Sequence, residues 1–586
     1  MLKYARPNSM SLLKTLPWAA ALCLLAACSQ QPMRLQAPAP SPPPVTAVPP
    51  ASPAATEKLP DVALSPQLLY QFLVSEIAGQ RGMIGVAEEG YLTMARETGD
   101  PRIARRAADI AFFARNYKGA EEASRIWLKG DPGSPLAMQT LVAAQLGQNQ
   151  FAAAEPALRS LLSREGAPGF MHLSVLLAKT SDPEGAYQML QRLAAPYPQM
   201  PEAWFALAQA ALKAGHPASA QADLTQADKL RPGWEPVALL RTQMLAARSA
   251  PEALAYLGTY LQHYPQAQDI RLVYARLLVA AGRVLDARAQ FAILAKQLPN
   301  NGEIAYAAGL LALQTGDFAV ARDELGRAET LGFPGKEALA YYLGLTEEGL
   351  GQPDQAMLQY RKVARGEYLI AARSRMAGIL AKKGKLDEAQ ALLQATQPAT
   401  DVQRIELIQA QADLLRDAKD YAKLYEFLGA GLKRFPDSPE LLYDHSMAAE
   451  KLDKLGVVET DLRKVIRLQP DNAQAYNALG YTLAEKTNRF KEAAELLDKA
   501  MSLSPDDPFI LDSVGWLNYR QGNLARARDY LERAYKLRSD PEIAAHLGEV
   551  LWMQGSHRAA LDLWKASLQS HPQNEALLQV LKKFNP

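Results

Sequence analysis

Cysteine is nearly absent: Cys23 and Cys28 are the only two in 586 residues. This excludes a disulfide framework and any Cys-x-x-Cys metal or redox site, so packing must hold the chain together. A basic excess is also missing. The formal net charge is +2, and Lys3, Arg6 and Lys14 lie in the first 27 residues, so the remainder stands at −1. Such a balance provides no general field for nucleic acid. The seven histidines, His172, His216, His263, His445, His546, His557 and His571, are scattered, and none pairs with another His or a Cys at metal-ligand spacing. The chain has no G-x-S-x-G, H-E-x-x-H, P-loop or G-x-G-x-x-G motif. Its one S-x-x-K, Ser11 to Lys14, falls in the basic leader. A non-enzyme with no cofactor and no metal is the expectation.

Long apolar runs are lacking too. The longest near the start, residues 16–27, has 12 positions, whereas a bilayer span needs roughly 20. A basic start, a short apolar run and small residues at its end read as a secretory signal over residues 1–27. "LLAAC", ending at Cys28, resembles the bacterial lipobox. That resemblance implies cleavage before Cys28, lipidation of its thiol and a mature protein with no free thiol. Ser29 follows, which resembles the outer-membrane pattern rather than the aspartate of inner-membrane retention. One acyl chain anchors weakly and several hold firmly. Residues 28–65 then form a tether. Residues 32–60 are rich in proline, which breaks helices and extends the chain. At about 3.1 Å per residue they reach on the order of 90 Å.

From residue 66 the composition turns to Ala, Leu, Gln, Glu and Arg, and a pattern recurs. In residues 201–232, Trp204, Leu207, Ala208, Ala211, Gly215, Ala220, Leu224, Ala227 and Pro232 stand at places 4, 7, 8, 11, 15, 20, 24, 27 and 32. The pattern resembles the tetratricopeptide repeat, a helical hairpin with a period of about 34 residues. Small residues at 8, 20 and 27 let two helices approach, and larger apolar ones fill between them. Gly215 ends the first helix and Pro232 stops the second. The frame returns through Gly282, Gly316 and Gly351, which step by 34 and 35 residues, and through Gly515 and Gly548, which step by 33. About 15 hairpins are expected over residues 66–573, with a closing helix in residues 574–586. The expected fold class is all-α: a right-handed superhelical solenoid lined on its hollow face by the first helix of each unit.

That first helix has a face, at unit places 2, 5, 6, 9, 12 and 13, which the core does not use. In the last units it carries Phe509, Asp512, Ser513, Trp516, Tyr519 and Arg520, then Glu542, His546, Glu549, Trp552 and Met553. Tyr481 holds the matching place one unit earlier. Trp, Tyr, Met and Arg are the residues that protein interfaces favour. Tyr481, Phe509, Trp516, Tyr519, Arg520, Trp552 and Met553 are therefore the candidate partner-binding residues. The alternative is that Trp516 and Trp552 pack inside the array. Phe112, Phe113, Tyr306, Tyr341 and Tyr443 are weaker candidates. The first hairpin has an apolar stripe, Leu68, Leu69, Phe72, Leu73 and Ile77, where a terminal unit ordinarily has a polar face. It is expected to fold back as a cap, with partner docking as the alternative.

The lipobox at Cys28, the proline spacer and an array ending in "NALGYTLAEKTNRFKEAAELLDKA", "DSVGWLNYRQGNLARARDYLERAY" and "DPEIAAHLGEVLWMQG" resemble the long repeat lipoproteins of pseudomonads and their relatives. The resemblance implies an adaptor on the periplasmic face of the outer membrane. It would bind and activate a carboxyl-terminal processing serine protease and deliver substrates such as peptidoglycan cross-link endopeptidases. A second expectation is an assembly lipoprotein for a secretin, a β-barrel insertase or exopolysaccharide export.

Overall fold

The computed structural model describes Pro60 and residues 62–584, Lys179 excepted. The expected signal, Cys28 and almost all of the tether lie outside the described residues. Among the described residues there are 31 helices and no strand. They run as fifteen hairpins, from Pro66–Gln80 with Ile84–Thr98 to Pro541–Met553 with His557–Ser570, and end in a lone helix, Glu575–Phe584. The chain forms two compact units that meet in sequence between Leu298 and Pro299. Within each unit, every hairpin packs on the next, so the fold is all-α and solenoid-like.

Local chemistry sets the boundaries. Six first helices open on an Asp-Pro or Ser-Pro pair, at Ser65, Asp100, Ser134, Ser438, Asp507 and Asp540. The side-chain oxygen accepts an orphan amide, and proline at the first helical position gives up no bond. Asp507 Oδ1, for example, accepts from the amides of Phe509 and Ile510 at 2.8 and 3.2 Å. Gly522 and Gly555 end the last two first helices at φ +81° and +82°, a conformation that costs glycine little.

The repeat's small place is explained by contact. A Cβ on Gly548 would stand 2.0 Å from Trp564 Nε1, and one on Gly515 would stand 2.7 Å from Leu531 Cγ. The large residue of the second helix thus fills the space that the small one leaves. Trp564 and Leu531 are both fully buried as a result. In the N-terminal unit the same role falls to a core of Leu158, Phe170, Met189, Leu190 and Leu224, all at 0% exposure. Burying each such side chain contributes about 1.5–3 kcal/mol.

The first hairpin departs from expectation. Leu69, Phe72, Leu73 and Ile77 remain 41–50% exposed, and only Ser75 and Ala78 of that helix are buried. The expected fold-back over this stripe is not seen among the described residues. The helix meets its partner instead through Phe72 edge-on to Tyr91 and through Gly90, which lies directly under Ser75.

Candidate functional site

Spacings of three and four residues place the leftover positions of each late first helix on one stripe. On Ala473–Lys486 the stripe runs Gln474, Asn477, Tyr481, Glu485; on Pro508–Arg520, Phe509, Asp512, Trp516, Tyr519, Arg520; on Pro541–Met553, Glu542, His546, Glu549, Trp552, Met553. His546 joins the three. Its Nδ1 lies 2.9 and 3.0 Å from the two carboxylate oxygens of Asp512. Its ring stacks on Trp516 at 4.1 Å and on Tyr481 at 6.1 Å. Trp516 Nε1 donates to Glu485 Oε2 at 2.7 Å. Arg520 donates to the same oxygen at 3.0 Å and to the Glu485 backbone carbonyl at 2.5 Å. Tyr519 packs on Trp516 at 4.8 Å, and its hydroxyl donates to Glu549 Oε1 at 2.7 Å. Lys583, from the closing helix, donates to that oxygen at 2.5 Å.

The electrostatics are acidic. Burial, and then the carboxylates of Glu485, Asp512, Glu542 and Glu450, hold the Tyr481 hydroxyl well above its ordinary value. Burial and the bond to Glu549 raise Tyr519 as well. For His546 burial opposes the charged form, but the Asp512 carboxylate outweighs it, so the imidazole titrates above its usual value. Asn477, one turn before Tyr481, has no exposed surface, and neither atom of its amide has a hydrogen-bond partner. Gln474 Oε1, on the same stripe, is also buried and unpartnered. Buried amides are ordinarily satisfied, because each unmet group costs about 1–3 kcal/mol.

Tyr481, Trp516, Tyr519 and Arg520 therefore come together in one network, and Trp516 is only 7% exposed. Trp552 belongs to a different cluster, stacked between His557 at 4.3 Å and Phe584 at 5.4 Å with Trp564 behind it. Met553 beside it is exposed. Phe509 lies under the Arg538 guanidinium at 5.0 Å. Of the weaker candidates, Phe113 is exposed, Phe112 meets Tyr117 edge-on, and Tyr306 stacks flat on Phe333 at 4.2 Å. Tyr341 packs among Tyr342, Tyr360 and Tyr368, and Tyr443 packs against the cores of its neighbours. Asn477, Glu485 and Lys583 were not among the expected residues. Glu485 follows Tyr481 by one turn, a signal available in the sequence; Lys583 comes from a helix outside the repeat frame.

The tetratricopeptide repeat profile matches residues 177–244, 244–313, 306–368, 443–508 and 515–575. A "TPR repeat-containing protein PA4667" of Pseudomonas aeruginosa is 34% identical over 492 residues, 83% of each chain. The chain belongs to the tetratricopeptide-repeat family. "Cellulose synthase operon protein C" of Pseudomonas fluorescens is similar at 24% identity over 468 residues, 69% of this chain and 34% of that one. Among solved structures, the APC/C tetramer Cut9-Hcn1 aligns over 83% of this chain and 97% of its own at 14% identity, with a TM-score of 0.30. Tetratricopeptide repeats are scaffolds that bind proteins, and the stripes of the last three units carry aromatic and acidic groups. Among the described residues no cluster of three or more His, Cys, Asp and Glu could hold a metal, and no helix is long and apolar enough to cross a membrane.

Proposed function

We propose that this protein is a lipid-anchored periplasmic adaptor of the outer membrane, like LbcA, the lipoprotein partner of the carboxyl-terminal processing protease CtpA. It binds and activates a serine protease of that type and brings it cell-wall hydrolases, such as peptidoglycan cross-link endopeptidases, as substrates. The observation that carries the reading is the joining of a lipobox at Cys28 and a proline-rich leash to a long repeat array with no catalytic motif. The kinship with the Pseudomonas repeat protein over most of both chains supports it. The physical mechanism is effective concentration: two clients held on one scaffold meet at about millimolar local concentration instead of by free diffusion.

The second reading, an assembly lipoprotein for an envelope machine such as an exopolysaccharide exporter, a secretin or a β-barrel insertase, is favoured by the similarity to a cellulose synthase operon protein. Affinity capture with the lipidated full-length protein in periplasmic and membrane extract separates the two. Recovery of a carboxyl-terminal processing protease with wall hydrolases, and faster cleavage of those hydrolases by the purified protease when the adaptor is added, is the expected result. Recovery of secretin, barrel-assembly or export components without a protease overturns it.

A further inference from the structure

The N-terminal unit holds a pocket of about 290 Å³ between the helices Pro183–Ala194, Pro201–Lys213 and Pro217–Leu230. Its walls are aromatic: Tyr187, Tyr197 and Trp204 line it, with Leu207. Each ring is held by a neighbour. Tyr187 packs on His216 at 5.5 Å, Tyr197 meets Phe170 edge-on at 5.3 Å, and Trp204 Nε1 donates to the Pro198 carbonyl at 2.9 Å. The one charged group on the wall is Asp223. Its Oδ2 is buried and has no hydrogen-bond partner. Burial alone lifts its titration to about 6, with no neighbouring charge contributing.

A carboxylate placed in this way is a net cost to folding. Burying a charge without a partner is unfavourable, and an isosteric neutral side chain would pack equally well. The N-cap, salt-bridge and network roles that explain other acids of this chain do not apply to it. The surroundings explain it by ligand chemistry instead. Ring faces attract a cation, and a carboxylate pairs with one through charge-assisted hydrogen bonds. The volume lies at the lower edge of small-ligand pockets and suits a single side chain.

We infer that this pocket receives the ammonium or guanidinium end of a Lys or Arg side chain from a polypeptide bound to the array. This site is separate from the His546 network and rests on the adaptor reading only in taking the cation from a polypeptide. Free polyamines carry the same chemistry, so the test has an arm for each source.

The full-length protein is exposed to a labelled library of nonapeptides randomised at every position except the fifth, which is Lys, Arg, norleucine or Glu. Lys and Arg peptides are expected to be retained about tenfold more than norleucine peptides, and Glu peptides least. Asp223→Asn is expected to abolish that preference while the melting temperature stays equal or rises, because an uncompensated charge has been removed. Equal retention of Lys and norleucine peptides by the unaltered protein overturns the inference without reliance on any variant. So does an Asp223→Asn protein that melts earlier yet keeps the preference, since the acid then serves the fold. Cadaverine bound as tightly as the Lys peptides assigns the pocket to free amines and overturns the polypeptide source. Capture of a protease without any Lys preference sinks this site and leaves the adaptor reading standing; the opposite pair of results does the reverse.

Discussion

His546 shows how one side chain changes character when three helices converge. Alone on Pro541–Met553 it is an ordinary imidazole, but beside Asp512, and packed against Trp516 and Tyr481, it favours its protonated form. Glu542, on its own helix, adds to that preference. A folded-state value above the unfolded one means that the charged pair contributes in full below about pH 6.5. The contribution is lost as pH rises through the elevated value. His546→Gln leaves Asp512 buried without a counter-ion, so a loss of about 3 kcal/mol is expected near pH 6. A clearly smaller loss is expected near pH 9. Denaturant melts of both proteins at the two pH values check this; equal losses would mean that the imidazole is not charged in the fold.

At the scale of the element, the last hairpin depends on a single large residue. Trp564 fills the gap over Gly548, donates its Nε1–H to the Ala545 carbonyl at 3.3 Å, and stacks with Trp552 and Phe584. Trp564→Ala removes that ring from the centre of the terminal cluster. An expected cost of about 3–5 kcal/mol falls on the hairpin Pro541–Met553 with His557–Ser570 and on Glu575–Phe584. Because repeats are stabilised mainly by nearest neighbours, amide hydrogen exchange is expected to quicken in residues 541–584 and to stay unchanged near Leu325 and Tyr360. Uniform acceleration along the C-terminal unit would show that its hairpins unfold together.

For the molecule as a whole, the division at Leu298 and Pro299 is the useful fact. Each unit has its own chain of buried contacts, and hairpins contact their neighbours in order. Residues 299–586 expressed alone are therefore expected to stay helical, with a far-UV circular dichroism signal per residue close to that of the full chain, and to keep the His546 network. A largely unfolded fragment would mean that the C-terminal unit depends on residues before it.

The repeat frame was legible in the sequence because its causes are local. A glycine after a first helix, a small residue facing a large one and a proline at a boundary each act within one hairpin, so Gly515, Leu531 and Gly522 could be assigned from spacing alone. The shared face of Tyr481, Trp516, Tyr519 and Arg520 was legible for the same reason. Three things were decided only by tertiary structure. Trp516 and Trp552, alike on paper, went to separate clusters, because one meets His546 and the other meets the closing helix. Asn477 lost every partner, and Asp223 was set among three rings that come from other segments of the chain. Such outcomes depend on which side chains of different helices meet, and a periodic pattern repeated every 34 residues or so carries no record of that.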